Sequence, residues 1–293
     1  MNNELISVIM STYNESASEV NQAVESILTQ SYKKIELIII CDNPQNIEVI
    51  EYLDTINDKR VKVFVNNKNI GLVKSLNRAL KYANGDYIAR MDADDISMHY
   101  RLERQIEFIK KNDLSIVGGA LQIIDENGNI MNRKMKFPIN DSKIKKCILY
   151  GSCIAHPTWL VKKNVYSELG GYREILYCED YDFLLRAIYV KNYRLGNLND
   201  VVLKYRIREK SISNANSIDQ YLIRRYLKRK RKTIYLIDEN NVYDYMKSEV
   251  YVKEKSKYVK YLQNKKERKF TIVFNAYLYE DILEKIVLKW REL

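Results

Sequence analysis

The sequence lacks several features that would assign it at once to a common class of protein. No apolar run approaches the ~18 residues that a membrane-spanning helix needs. Neither GxGxxG nor GxxxxGKS/T occurs, so the common loops that hold phosphate with backbone amides are absent. No basic region precedes the short apolar run near the N-terminus, and we therefore expect no secretory signal.

Cysteine and histidine are also scarce. The two histidines stand at no zinc-ligand spacing from a cysteine, and no CxxC pair is formed by the four cysteines, Cys41, Cys147, Cys153 and Cys178. We interpret these four residues as reduced core thiols of a cytoplasmic protein.

The composition is that of a globular protein with an uneven positive charge. Hydrophobic residues make up 46% of the 293 positions, enough for the core of one large domain or two modest ones. Residues 221–293 contain 19 Lys and Arg against 10 Asp and Glu, within a total net charge of +11. A codon bias toward lysine would spread that charge along the chain. The concentration instead predicts an anionic partner, either nucleic acid or membrane headgroups.

Apolar runs alternate with amphipathic stretches in the first hundred residues. The pattern predicts strands at 5–11, 35–42, 60–66 and 87–92, with helices at 20–30 and 71–84. Such alternation is typical of an α/β fold, a mostly parallel sheet with helices on both faces. Farther along we predict helices at 101–111, within 156–174 and at 179–190, a strand at 114–125 with a Gly-Gly break, a hairpin turn at 126–129 and mostly helix from about 217.

Ligands bind beyond the carboxyl ends of the strands in sheets of this kind. Three predicted strands end in polar residues, at 11–15, 41–43 and 92–95. Asp92 and Asp94 have the DxD spacing, and their hard oxygen ligands suit Mg²⁺ or Mn²⁺ bound to a diphosphate. The alternative is that Asp94 or Asp95 caps a helix at 97–111. The position at a third strand end favours the metal site.

Other candidates have more than one interpretation from the residues alone. Glu179 and Asp180 either stabilise the first turn of a helix or act as a general base at the edge of a pocket. His156 is an isolated histidine in an extended segment. Trp159 either stacks on a sugar ring or fills the core.

Eight short segments follow one another along the chain and are informative as a set. They are SVIMSTYNE (7–15), IIICDN (38–43), NIGLVKSLNRAL (69–80), GDYIARMDADD (85–95), HPTW (156–159), GGYRE (170–174), CEDYDFLLR (178–186) and YRIREKSIS (205–213). In these segments the chain resembles the family 2 glycosyltransferases, which have the Rossmann-like GT-A fold. The resemblance implies an inverting, metal-dependent hexosyltransferase of the bacterial polysaccharide-assembly type. Its donor would be a nucleotide-diphosphate sugar, usually UDP-linked, and its acceptor a hydroxyl of a saccharide or lipid-linked saccharide.

The resemblance also implies roles for individual residues. The base that deprotonates the acceptor would be Asp180, with Glu179 beside it, and the metal ligands for Mn²⁺ or Mg²⁺ would be Asp94 and Asp92. The donor nucleotide would contact Thr12, Tyr13, Asn14, Glu15, Asp42, Lys74, Asp92 and Ala93. The diphosphate would contact Arg206 and Arg208, and the acceptor His156 and Trp159. The chain departs from many relatives in having Cys41-Asp42-Asn43-Pro44 where they have DDGS, and Arg208 where they have a histidine. An arginine neutralises a diphosphate directly.

The resemblance covers about residues 5–213, which divides the chain into two predicted parts. We expect a GT-A domain at 1–213, with a nucleotide-binding half at 1–98 and an acceptor half at 99–213, and a basic helical region at 214–293. Within that region, 220–237 interleaves basic residues with Tyr, Leu and Ile, which suits an amphipathic helix on an anionic membrane surface. This predicts a cytoplasmic protein bound peripherally to the inner face of the membrane. The alternatives are a helical subdomain that covers the sheet, or a dimer contact.

Two other functional classes compete with this interpretation. A nucleic-acid-binding protein would use the basic C-terminal region, but the acidic strand ends would repel phosphates unless they held a metal, and no RNP, KH or zinc pattern occurs. We therefore expect no nucleic-acid partner. A sugar-nucleotide-forming nucleotidyltransferase would carry a Gly-rich basic loop after the first strand, where this chain has STYNESASE.

Overall fold

The structure is a computed structural model that describes residues 4–208 and 216–266. The strands in these ranges are β1 (Ile6–Thr12), β2 (Ile35–Cys41), β3 (Val61–Val65), β4 (Tyr87–Asp92), β5 (Ile96–Ser97), β6 (Ile116–Ile124), β7 (Ile130–Met135), β8 (Leu160–Lys162) and β9 (Leu195–Arg206). The α-helices are α1 (Ala17–Leu28), α2 (Ile47–Asp54), α3 (Leu72–Tyr82), α4 (Arg101–Lys111), α5 (Asp141–Cys147), α6 (Lys163–Leu169), α7 (Glu179–Tyr189), α8 (Ser217–Lys230), α9 (Glu239–Lys247) and α10 (Glu249–Lys266). Two 3₁₀ turns span His156–Thr158 and Arg231–Leu236.

All the strands join one sheet, in the order β3-β2-β1-β4-β8-β6-β9-β5, with β7 beside β6. The first four strands in this order are parallel, and β6 and β9 form a further long parallel pair. Short antiparallel pairs join β8 to β4 and to β6. The predicted mixed α/β architecture with a mostly parallel sheet is therefore confirmed.

The sheet carries helices on both faces because its strands alternate the direction of their side chains. In β1, Val8 and Met10 pack in a core with α1, α2 and α4, whereas Ile9 packs in a second core with α3, α6 and α7. The apolar run of β1 thus serves both cores, as expected for a strand buried on both faces.

The described part of the C-terminal region adds a helical layer to the second core. Ile223 and Leu227 of α8, together with Ile234 and Ile237, are buried in the same cluster as the apolar side of α7. This packing agrees with the alternative of a helical subdomain that covers the sheet. The predicted boundary between residues 213 and 214 lies outside the described residues, as does 267–293 of the basic region.

Several parts of the architecture differ from the sequence prediction. The chain forms a 12-residue strand, β9, and a helix, α2, that the apolar pattern did not indicate. The Gly118-Gly119 pair does not interrupt β6. A Cβ would lie 2.4 Å from Ile154 Cγ2 at Gly118 and 2.7 Å from Val202 Cγ2 at Gly119, so these glycines permit close packing inside a continuous strand. Among residues 4–208 and 216–266, no helix has the length and apolarity required to cross a bilayer.

Gly85 precedes β4 in a place where the backbone leaves no room for a side chain. A Cβ there would lie 2.6 Å from the Ser7 nitrogen and 2.7 Å from the Leu5 oxygen, and backbone atoms cannot yield as a side chain does. We expect Gly85→Ala to lower the free energy of unfolding by about 3 kcal/mol, measured by chemical denaturation. Gly170→Ala is the control, because its site is open and only the left-handed φ of +72° costs about 1 kcal/mol. Equal losses in the two variants would contradict the close approach at Gly85.

Candidate functional site

The carboxyl ends of β1, β2 and β4 meet at one edge of the sheet. The parallel register pairs Ser11 with Asp92 and Thr12 with Cys41, so the three polar strand ends lie side by side. This is the arrangement that the sequence predicted for residues 11–15, 41–43 and 92–95.

Three carboxylates form a cluster at that edge. Ligand oxygens of Asp92, Asp94 and Asp95 lie within 4.8 Å of one another. Asp95 is fully buried, and its Oδ1 accepts a hydrogen bond from the Arg206 backbone N–H at 2.9 Å. Its Oδ2 is buried and has no hydrogen-bond partner among the described residues. Because α4 begins at Arg101, the alternative that Asp94 or Asp95 caps this helix is wrong.

The cluster is electrostatically costly in the absence of a cation. Burial and the nearby Asp92 carboxylate raise the pKa of Asp94 to about 7. Burial, Asp92 and Asp94 together raise the pKa of Asp95 well above its ordinary value. Crowded hard oxygens and a buried oxygen without a partner fit a small divalent cation such as Mg²⁺ or Mn²⁺.

Two arginines predicted to contact a diphosphate have different environments. The Arg206 guanidinium donates to the carbonyl oxygens of Asp94 at 2.8 Å and Glu126 at 2.9 Å, and to Gln22 Oε1 at 3.2 Å. It is almost fully buried and fixes the turn that carries the carboxylates, so the structure gives it a scaffolding role in place of a direct diphosphate contact. The Arg208 side chain is 31% exposed and lies 3.3 Å from Asp94 Oδ2.

The end of β1 forms a turn held by Glu15. One oxygen of the Glu15 carboxylate accepts from the Thr12 hydroxyl at 2.7 Å and from the Tyr13 backbone N–H at 2.6 Å. The Tyr13 ring is left 41% exposed at the edge of the sheet. Asn14 Oδ1 accepts a hydrogen bond from Asn43 Nδ2 at 3.2 Å, which joins the ends of β1 and β2.

Asp42 lies at the end of β2 but is buried. Its carboxylate accepts hydrogen bonds from the backbone N–H groups of Ile70 at 2.9 Å and Gly71 at 2.8 Å, and from Asn66 Nδ2 at 2.7 Å. Asp42 therefore anchors the loop before α3, a role that the sequence did not indicate. Lys74 on α3 forms an exposed ion pair with Glu174 at 3.1 Å.

Glu179 and Asp180 open α7 and are partly buried. Asp180 Oδ1 accepts a hydrogen bond from the Tyr181 backbone N–H at 2.6 Å. This agrees with the interpretation that Asp180 stabilises the first turn of the helix. Burial and the adjacent Asp180 charge raise the pKa of Glu179 to about 7, and burial raises the pKa of Asp180 as well. The charges of Arg90 and Asp92 also act on the pKa of Glu179, so the pair lies within electrostatic range of the end of β4.

His156 and Trp159 belong to the core. His156 Nε2 and the Tyr172 hydroxyl are 2.9 Å apart, and burial lowers the pKa of His156 well below its ordinary value, which keeps the ring neutral. Trp159 has no exposed surface and packs on His156 and Phe183. The predicted stacking of a sugar on Trp159 is therefore excluded by its burial in this structure.

Arg90 is a site residue that the sequence analysis did not identify. Its guanidinium forms an ion pair with Asp92, while its Nε and one terminal nitrogen are buried with no hydrogen-bond partner among the described residues. The available signal was an arginine inside the otherwise apolar strand YIARMD, two residues before Asp92 and hence on the same face.

The sequence model of the Glycosyl transferase family 2 matches residues 7–170, more than half of the chain. The chain belongs to this family. The transferase is 36% identical over 241 residues to the O-antigen biosynthesis glycosyltransferase WbnJ of Escherichia coli, covering 80% of this chain and 93% of WbnJ. It is 30% identical over 217 residues to the E. coli UDP-Glc:alpha-D-GlcNAc-diphosphoundecaprenol beta-1,3-glucosyltransferase WfgD, covering 73% and 81%.

Solved glycosyltransferases share the fold of this transferase. The mannosyltransferase PcManGT from Pyrobaculum calidifontis, in complex with GDP-Man and Mn²⁺, aligns with a TM-score of 0.58 and 14% identity over 83% of this chain and 74% of its own. S. aureus TarS 1–349, in complex with UDP-GlcNAc, aligns with a TM-score of 0.56 and 19% identity over 79% and 71%. The predicted GT-A fold is confirmed.

Proposed function

We propose that this transferase moves a hexosyl group, with inversion, from a nucleotide-diphosphate donor to a hydroxyl of a saccharide or lipid-linked saccharide acceptor. The observation that carries the proposal is the placement of the Asp92–Asp95 cluster at the strand ends, with the Glu179-Asp180 pair nearby. UDP is the nucleotide of the donor that we favour, since WfgD is named for a UDP-linked donor and TarS was solved with UDP-GlcNAc. The biological setting we propose is bacterial surface polysaccharide synthesis, as the name of WbnJ suggests.

The donor nucleotide would lie along the aligned strand ends. The exposed Tyr13 ring offers a face for the base, and Thr12, Asn14 and Glu15 shape the turn beneath it. The loop fixed by Asp42 and the α3 residue Lys74 would border the base and diphosphate. At the end of β4, Asp92 and the backbone of Ala93 would contact the ribose.

The diphosphate would lie beside the carboxylate cluster and Arg208. Asp94, with Asp92, would hold Mn²⁺ or Mg²⁺, which supplies positive charge to the leaving diphosphate when bound. Arg208 is the partly exposed guanidinium at this point and adds a second positive charge. Arg206 holds the turn in place behind them.

Asp180 would act as the general base. It accepts the proton of the acceptor hydroxyl as that oxygen bonds to the anomeric carbon, while the bond from that carbon to the diphosphate oxygen breaks on the opposite face. Burial raises the pKa of Asp180, which suits this task because a more basic carboxylate accepts a proton more readily.

Isothermal titration with nucleotide diphosphates tests the donor site. We expect UDP to bind in the presence of Mn²⁺ and to bind more weakly after chelation. GDP and TDP are the comparison ligands, and tighter binding of either one would reassign the base. An absence of binding by all three, with and without Mn²⁺, would refute the proposed transferase function.

Membrane association is the second part of the proposal, and it rests on residues 229–236. The apolar side of α8 is buried in the core, which leaves six exposed residues in the segment predicted at 220–237, namely Arg229, Lys230, Lys232, Thr233, Tyr235 and Leu236. Of these, Arg229 is paired with Glu254 at 3.0 Å. Tyr235 is 61% and Leu236 is 65% exposed. Basic side chains beside an aromatic and an aliphatic one suit an anionic lipid surface, where a lipid-linked acceptor would be found.

Charge reversal tests this surface. We expect the Lys230→Glu/Lys232→Glu double variant to bind vesicles containing anionic lipid at least tenfold more weakly at low salt, since each basic residue contributes about 1 kcal/mol. The matched control is Lys59→Glu/Lys111→Glu, which reverses two exposed lysines elsewhere. Co-sedimentation measures both. Equal binding by the two double variants, or no vesicle binding by the wild type, would contradict a lipid surface at 229–236.

A further inference from the structure

The C-terminal region contacts the backbone that leads directly into the Glu179-Asp180 pair. The Gln220 side chain, on α8, donates from Nε2 to the Tyr177 carbonyl oxygen at 3.0 Å. The Gln220 carbonyl oxygen accepts from the Cys178 thiol at 3.5 Å. The two residues that precede Glu179 are thus both tied to the same residue of α8.

Tyr177 has a backbone conformation that needs such support. Its φ of +59° lies in the left-handed region, which bulky side chains rarely adopt. Residues in strained conformations persist where surrounding contacts hold them, and they are frequent at functional sites. The bond from Gln220 is one such contact, and the packing of the Tyr177 ring against the second core is another.

A second link joins the C-terminal region to the first turn of α7. The Arg173 guanidinium donates from Nε to Asp182 Oδ2 at 3.0 Å and from a terminal nitrogen to Asp182 Oδ1. The same group donates to the carbonyl oxygens of Ile234, at 3.1 Å, and Ile237. Asp182 is fully buried two residues after Asp180, and it is also bound by Arg186 at 2.8 Å.

We infer that the C-terminal region sets the position of Glu179 and Asp180, with Gln220 and Arg173 as positioning residues for the proposed general base. One contact fixes the backbone before the pair and the other fixes the helix after it. The family match ends at residue 170, so both links lie outside it and nothing in the match assigns them a role. This inference rests on the proposed function, since it concerns the base of that reaction.

Gln220→Leu tests the first link without changing the size of the side chain greatly. We expect a fall in kcat of about tenfold to hundredfold, because a displacement of a reacting group by about 1 Å has effects of this size. The affinity for UDP should stay unchanged, since the Gln220 side chain binds the Tyr177 carbonyl and not a strand-end residue. The matched control is Gln263→Leu, which makes the same change at an exposed position of α10 and should leave kcat unchanged.

Arg173→Lys and Arg173→Met test the second link. Lysine retains the charge but cannot bind two carboxylate oxygens and two carbonyl oxygens at once. We therefore expect both variants to lower kcat, whereas Arg194→Met, at an exposed arginine, should not. Asp182 keeps its bond from Arg186 in these variants, so the helix should still fold, as checked by circular dichroism.

Backbone hydrogen exchange of residues 177–182 gives a readout that is independent of activity. We expect faster exchange of this segment in Gln220→Leu and Arg173→Met than in the two controls. Unchanged exchange together with unchanged kcat would overturn the inference. If the wild type transfers no sugar, the proposed function fails on that result, and the exchange measurement alone decides whether the C-terminal region positions this segment.

Discussion

Asp180→Asn should lower kcat for sugar transfer by about 10³-fold while leaving the affinity for UDP within about twofold of wild type. An amide cannot take up the proton of the acceptor hydroxyl, and positioned general bases contribute about 10²–10⁴-fold to a rate. The amide oxygen of the variant side chain can still accept the hydrogen bond from the Tyr181 N–H, so the start of α7 should be preserved. Steady-state kinetics with saturating donor, together with titration of UDP, separate these two effects.

The pH profile gives this prediction a second measurement. A carboxylate base is active when ionised, and burial raises the pKa of Asp180, so wild-type kcat should fall on the acidic side at a higher pH than it would for an exposed aspartate. The two carboxyls titrate as a pair. Removing one charge with Glu179→Gln should therefore move the acidic limb to lower pH. Asp200→Asn, at an exposed position paired with Arg104, is the control. If the Asp180→Asn variant had the same kcat as the wild type, the general base would have to be another residue.

Asp94→Asn should abolish the metal-dependent part of UDP binding. We expect the apparent affinity for UDP in Mn²⁺ to fall by about 10²-fold, because an amide is a poorer ligand than a carboxylate for a hard divalent cation. Titration with and without Mn²⁺ should give the same weak affinity for the variant. The wild type should show a clear difference between the two conditions.

Thermal stability of the metal-free protein tests the same residue independently of the nucleotide. The crowded carboxyls raise the pKa of Asp94 to about 7 and that of Asp95 well above its ordinary value, so ionising them without a cation destabilises the fold, and replacing Asp94 should raise the melting temperature in a chelating buffer at a pH above 7. Added Mn²⁺ should raise the melting temperature of the wild type and leave that of Asp94→Asn unchanged. Asp54→Asn, at an exposed helix end, is the matched control. A variant with normal Mn²⁺ stabilisation would exclude Asp94 as a ligand.

The sequence predicted the edge of the sheet well because buried parallel strands have a simple pattern. Apolar runs at 5–11, 35–42 and 87–92 each end in polar residues, and parallel pairing brings such ends together. β9 was missed because its sequence, LGNLNDVVLKYR, mixes polar and apolar residues without a clear period. The path of this strand depends on its long parallel pairing with β6.

The roles of individual side chains were harder to predict than the strands and turns that carry them. Arg206 and Arg208 are two residues apart and chemically identical, yet one binds carbonyl oxygens inside the protein and the other lies beside Asp94. Trp159 was equally suited by type to a sugar or to the core. Burial decides such cases, and burial depends on which distant segments pack over the residue.

The anchoring of the loop before α3 by Asp42 bears on how donor choice could change. A substitution at Asp42 would leave the N–H groups of Ile70 and Gly71 without their acceptor. The loop would then lose its conformation, and the site would be damaged before it could bind a different nucleotide base. Asn14 and Asn43 bridge the strand ends and are more accessible. Laboratory evolution toward another nucleotide should therefore accumulate changes at these two asparagines and retain the aspartate beneath them.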